Sequence, residues 1–87
     1  MFPVPMTEHA KLAWRCRRGM RELDVLLRGF LDSRYEALEA PERQAFERLL
    51  EENDQDILLW LTGRAAPPDE RLAKIVRTIL ASGSENR

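Results

Sequence analysis

Apolar residues recur along this chain at the spacing of a helix surface. Leu23, Leu26, Leu27, Phe30 and Leu31 fall at i, i+3, i+4, i+7 and i+8 and draw one stripe. Leu72, Ile75, Val76, Ile79 and Leu80 repeat the pattern, and Ala45, Phe46, Leu49 and Leu50 form a shorter version. Ile57, Leu58, Trp60 and Leu61 are nearly all apolar, which predicts a central helix there. No segment alternates with period two over four or more residues, so no strand is expected.

The breaks between these stripes fall on residues that favour them. Thr7 is placed to cap a first helix carrying Leu12, Ala13 and Trp14. Gly19 can take the left-handed conformation that ends it. Pro41 suits the first turn of a third helix, where its missing N–H is not needed. Asp54 is placed to cap the fourth, Thr62-Gly63 closes it, and Pro67-Pro68 bars continuation before a fifth begins near Asp69. The expected fold is all-α, a compact five-helix orthogonal bundle in one domain spanning 1–87. Residues 1–6 and 82–87 are expected to be flexible.

Composition narrows the function classes. A hydrophobic share of 44% with 33% charged residues is a globular balance. With 87 residues the core is thin and leaves little room for a cofactor cavity. A net charge of −1 argues against a general nucleic-acid or membrane binder, so any charged site must be a local patch. A single cysteine excludes an internal disulfide framework and fits a reducing compartment. No apolar run approaches the length that spans a bilayer, and the N-terminus lacks the pattern of a secretory or import signal. A cytoplasmic monomer in its full length is the expected setting.

Catalytic and metal chemistry find little support. Nucleophilic triads and most metal sites need several converging His, Cys or carboxylate groups. The only histidine is His9, read as solvent-exposed, and the only cysteine is Cys16. Arginines on both sides of Cys16 could favour its thiolate, yet a small residue on the inner face of the first helix is the simpler reading. The acids Glu51, Glu52, Asp54 and Asp56 run straight into an apolar helix and leave no room for a calcium loop. Gly19, Gly29, Gly63 and Gly83 are too scattered to cradle a nucleotide, so any nucleotide cofactor used here belongs to a partner.

The densest charge lies in "RCRRGMRELD", residues 15–24. Glu22 can satisfy free N–H groups in the first turn of the second helix, as in a capping box. Asp24 and Arg28, and Arg28 and Asp32, are spaced as intrahelical pairs. Those roles leave Arg15, Arg17 and Arg18 unexplained, because three adjacent cations at one helix end repel one another. Arginines beside a glycine that exposes backbone suit docking onto the carboxylates or carbonyls of another protein. A helix-turn-helix reading is weakened by Glu22 and Asp24, which would repel phosphates.

Arg18-Gly19-Met20-Arg21-Glu22 fits an RGxxE motif, and it is followed by a D-x-D-x-x-x-W helix at Asp54, Asp56 and Trp60. Together with "AWRCRRGMRELD", "FERLLEENDQDILLWL" and "RLAKIVRTI", these residues resemble the SdhE-type FAD assembly factors, bacterial relatives of mitochondrial succinate dehydrogenase assembly factor 2. The resemblance covers about residues 8–80. It implies a non-enzymatic five-helix protein that binds the flavoprotein subunit of succinate dehydrogenase, and often of fumarate reductase, and promotes covalent attachment of FAD to it. It also implies that Arg18, Gly19 and Glu22 face the flavoprotein, and the expected partner-binding set is Arg15, Arg17, Arg18, Gly19, Glu22 and Asp24. A protein-binding antitoxin or adaptor is the second reading, and a small DNA-binding regulator the third.

Overall fold

The structure, a computed structural model, describes residues 8–85, with side chains through 82. The cap expected at Thr7 and the segment 1–6 lie outside the described residues. Five helices follow in order: α1 (Glu8–Arg15), α2 (Arg21–Ser33), α3 (Ala40–Leu49), α4 (Asp54–Leu61) and α5 (Glu70–Glu85). A single 3-10 turn, Tyr35–Ala37, links α2 to α3 and had no periodic signal to announce it. Among the described residues there is no strand, and the chain is the expected all-α five-helix bundle. No helix of the described residues is long and apolar enough to cross a membrane.

The stripes become the core. Leu23, Leu27, Phe30 and Leu31 of α2 are buried against Phe46 and Leu49 of α3, Ile57 and Leu61 of α4, and Leu72, Ile75, Val76 and Ile79 of α5. Each such side chain contributes about 1.5–3 kcal/mol on leaving water. Phe30 and Tyr35 flank Phe46 with ring centroids 5.3 and 5.6 Å away, in the tilted arrangement that aromatic quadrupoles favour.

The centre is not α4, as its apolar run suggested. Helix α2 packs on α1, α4 and α5, and α5 on α2, α3 and α4, so these two form the hub. Helix α4 packs on α2 and α5 through Ile57, Trp60 and Leu61 and leaves Leu59 exposed. Helix α5 runs through Glu85. Ser82 lies three residues beyond Ile79 on the same stripe, and its small side chain is buried there.

The helix ends explain the turns. At α4 the last turn closes in a Schellman motif: Gly63 takes φ +77, its N–H bonds Trp60 O at 3.2 Å, and Arg64 N–H bonds Leu59 O at 2.9 Å. At its start the cap is Asn53, not Asp54, and the Asn53 side chain accepts the Asp56 N–H at 2.9 Å. Pro41 sits in the first turn of α3, where Glu42 accepts the Glu39 N–H at 3.2 Å. Asp69 Oδ1 accepts the Arg71 N–H at 2.7 Å and so opens α5.

Candidate docking site

The stretch 15–24 forms the corner between α1 and α2. Helix α1 ends at Arg15, and Gly19 takes φ +82 in the connecting turn, a backbone that L side chains rarely adopt. A Cβ built on Gly19 would meet nothing within 4 Å, so its bare backbone faces open space. The cap of α2 is Met20, which offers no capping side chain. Asp24, one turn on, reaches back instead: Oδ1 accepts the Arg18 N–H at 2.7 Å and Oδ2 the Gly19 N–H at 3.3 Å. Glu22 therefore does not take the capping role expected of it, and Asp24, bonded to the turn that precedes the helix, is not paired with Arg28. Arg28 donates its Nε–H to both Asp32 oxygens, at 3.1 and 3.0 Å. Glu22 is exposed and, among the described residues, has no hydrogen bond or ion pair.

Two of the three crowded arginines point away from solvent. At the end of α3, the Phe46, Arg48 and Leu49 carbonyls accept the N–H groups of Leu50, Glu51 and Glu52, which leaves Glu47 O without a backbone donor. Arg15 Nη2 fills that vacancy at 3.0 Å. Arg18 reaches further. Its Nη1 donates to Leu50 O at 2.8 Å and to Arg15 O at 3.1 Å, its Nη2 to Glu52 O at 2.6 Å, and its Nε to Asp54 Oδ1 at 2.7 Å. The Arg18 side chain is only 14% exposed, so these bonds form in a partly desolvated site where they count for more than at a surface. The negative end of α3 and the Asp54 carboxylate hold two guanidiniums that would otherwise repel each other. Sequence reasoning placed Asp54 in a motif and missed this role. The clue was that the two family blocks carry an arginine and an aspartate, each without a local partner.

Arg17 is the cation left outside. It is exposed, and its guanidinium lies 5.7 Å from the Trp14 ring centroid. Trp14 itself is 67% exposed, and Val25, on the outer face of α2, is 63% exposed. Trp60, in contrast, is core, in line with the packing role expected of an aromatic residue in a small bundle. The corner thus divides. Arg15, Arg18 and Asp24 bond to the chain itself, while Arg17, Gly19 and Glu22 face solvent beside Trp14 and Val25.

Cys16 is buried, and burial pushes its thiol up to about 11 against the pull of Arg28, Arg18 and Arg15. Desolvation outweighs the flanking arginines, so the thiolate reading fails and the inner-face reading holds. His9, expected to be solvent-exposed, is half-buried and bonds Asp32 Oδ1 through Nε2 at 2.9 Å. Burial alone would raise the Asp32 pKa, but hydrogen bonds from Arg28 and His9 hold it below the usual carboxylate value.

With this geometry in hand, the relatives are informative. Residues 10–82 match the family described as flavinator of succinate dehydrogenase. The chain is 38% identical over 86 residues to the FAD assembly factor SdhE of Idiomarina loihiensis, covering 93% of this chain and 96% of that one. It is 46% identical over 74 residues to the Pseudomonas aeruginosa protein of the same name, covering 85% and 88%. The Methylococcus capsulatus counterpart is 43% identical over 76 residues, covering 87% and 92%. The match spans all five helices and both halves of the Arg18–Asp54 pair. The chain belongs to the family of flavinators of succinate dehydrogenase.

Proposed function

We propose that this protein is an assembly factor that binds the flavoprotein subunit of succinate dehydrogenase and promotes covalent attachment of FAD to it. The observation that carries the reading is a corner braced from behind and bare in front. Arg18 and Arg15 fasten it to the α3–α4 segment, while Gly19 and Glu22 present an open backbone and an unpartnered carboxylate. A carboxylate left free on an ordered surface is suited to an arginine, lysine or backbone N–H of a partner. In this reading Arg17, Gly19 and Glu22 touch the flavoprotein, and Arg15, Arg18 and Asp24 hold them in position.

The protein supplies no reacting group of its own. FAD and the residue it joins belong to the flavoprotein, and the assembly factor acts by stabilising the flavoprotein conformation in which the two react. Such an effect requires only that it bind that conformation more tightly than others. The same docking surface would serve a fumarate reductase flavoprotein of similar shape.

Covalent flavin fluorescence of the flavoprotein subunit on a denaturing gel tests the proposal, in cells that lack every other assembly factor. The band should depend on this protein and fade with Glu22→Ala, whose circular dichroism stays that of the wild type. Gly19→Arg should abolish the band, because its side chain would project into the space the partner must enter. A band equally bright without the protein would remove the assembly role.

A further inference from the structure

A groove of about 520 Å³ runs along the α1–α2 flank beside the corner. Ala10, Ala13 and the exposed Trp14 form its apolar side. Its polar side chains are His9, Arg17, Asp24 and Arg28, with Asp32 bonded to two of them. The acids are occupied. Both Asp24 oxygens accept backbone N–H groups, and both Asp32 oxygens accept from Arg28, one of them also meeting His9. The cations are not. Among the described residues Arg17 makes no ion pair and only stacks on Trp14, and Arg28 bonds through Nε alone, its two terminal nitrogens meeting no partner there. The groove therefore offers guanidinium donors and an indole, with no acceptor in need of a donor.

We infer that this groove receives an acidic segment of the flavoprotein, with a carboxylate on Arg17 and Arg28 and an apolar side chain against the Trp14 indole. The inference rests on the docking reading above and extends it from the turn to the α1–α2 flank, since Arg17 and Asp24 belong to both. Guanidinium forks bind carboxylates in defined geometry, and a tryptophan at an interface is the residue most able to anchor a contact. A protein segment fits better than a nucleic acid. The unpartnered Glu22 in the adjoining turn would repel a chain of phosphates, whereas a protein can place a single carboxylate in the groove and a cation on Glu22.

The test is titration calorimetry of the purified succinate dehydrogenase flavoprotein subunit with this protein, at low and at moderate salt. Wild type is compared with Arg17→Glu, Trp14→Ala and Glu22→Ala, each with its melting curve, since all three side chains are exposed. Arg17→Glu and Trp14→Ala should each weaken binding about tenfold or more. Added salt should weaken the wild type more than Arg17→Glu. If only Glu22→Ala weakens binding, the groove is not part of the interface, although the docking reading stands. If the two groove variants weaken binding but salt affects wild type and Arg17→Glu alike, the occupant is not acidic. If no variant alters affinity, the docking reading falls and takes this inference with it.

Discussion

Replacing Arg18 by Ala would leave two carbonyls of the α3–α4 segment, Leu50 and Glu52, and the Asp54 carboxylate without the donor that now reaches them. Losing charge-assisted bonds in a partly buried site should cost about 2–4 kcal/mol, read from the urea midpoint. Arg18→Lys should recover less than half of it, because an ammonium cannot reproduce the planar fork. Glu22→Ala, by contrast, should leave the midpoint unchanged. Two residues of one short motif would thus fail in different assays, which the sequence could not indicate. It gives the charges of Arg15, Arg17, Arg18 and Glu22 but not which of them turn inward, since the acceptors are more than 30 positions away. Cys16 gives a second residue-scale prediction. Its folded-state pKa of about 11 lies above the 9.0 of a free thiol, so the unfolded chain loses this proton first as pH rises. Its contribution to stability should be intact below about pH 9 and lost by about pH 11. Tyr35, raised from 10.0 to about 12 by burial and by its hydrogen bond to Glu47, adds a second step in the same direction. Urea midpoints measured between pH 8 and 11 should fall, and Cys16→Ser should flatten the first part of that fall.

At the scale of elements, helix existence followed from periodicity and helix ends only in part. The α4 start held three cap-competent residues in a row of four, Asn53, Asp54 and Asp56. Propensity alone does not choose among them. The choice is made by Arg18, which takes Asp54 as its ion partner and leaves Asn53 to meet the Asp56 N–H. Asn53→Ala should therefore cost about 1 kcal/mol in denaturant unfolding, the loss expected of a helix cap. Asp54→Ala should cost more than a cap, because it strips a bonded guanidinium of its counter-charge. The same substitution order would be reversed had Asp54 been the cap. The α2 start shows the same limit. Glu22 and Asp24 both lie in the first turn, and only the path of the chain through Gly19 brings the Arg18 and Gly19 N–H groups within reach of Asp24 rather than Glu22.

At the scale of the whole molecule, the apolar stripes were enough to give the fold class, since each must bury its apolar face against another. They did not give the arrangement. The α4 run looked central because almost every residue in it is apolar, yet centrality depends on how many neighbours a helix can touch, and the longer α2 and α5 touch more. The bracing of the corner has a consequence for anyone who would borrow it. Residues 8–33 carry every letter of the RGxxE motif, both helices that flank it and the whole groove wall. They carry none of the oxygens at Glu47, Leu50, Glu52 and Asp54 that fix Arg15 and Arg18. Cut out as a peptide, this segment would expose the apolar face of α2 and let both guanidiniums swing free. Added in excess to a flavinylation reaction, it should fail to compete with the intact protein. The motif is local as text and distributed as an object, and a mimic of it would need to reproduce the far side of the bundle as well as the near one.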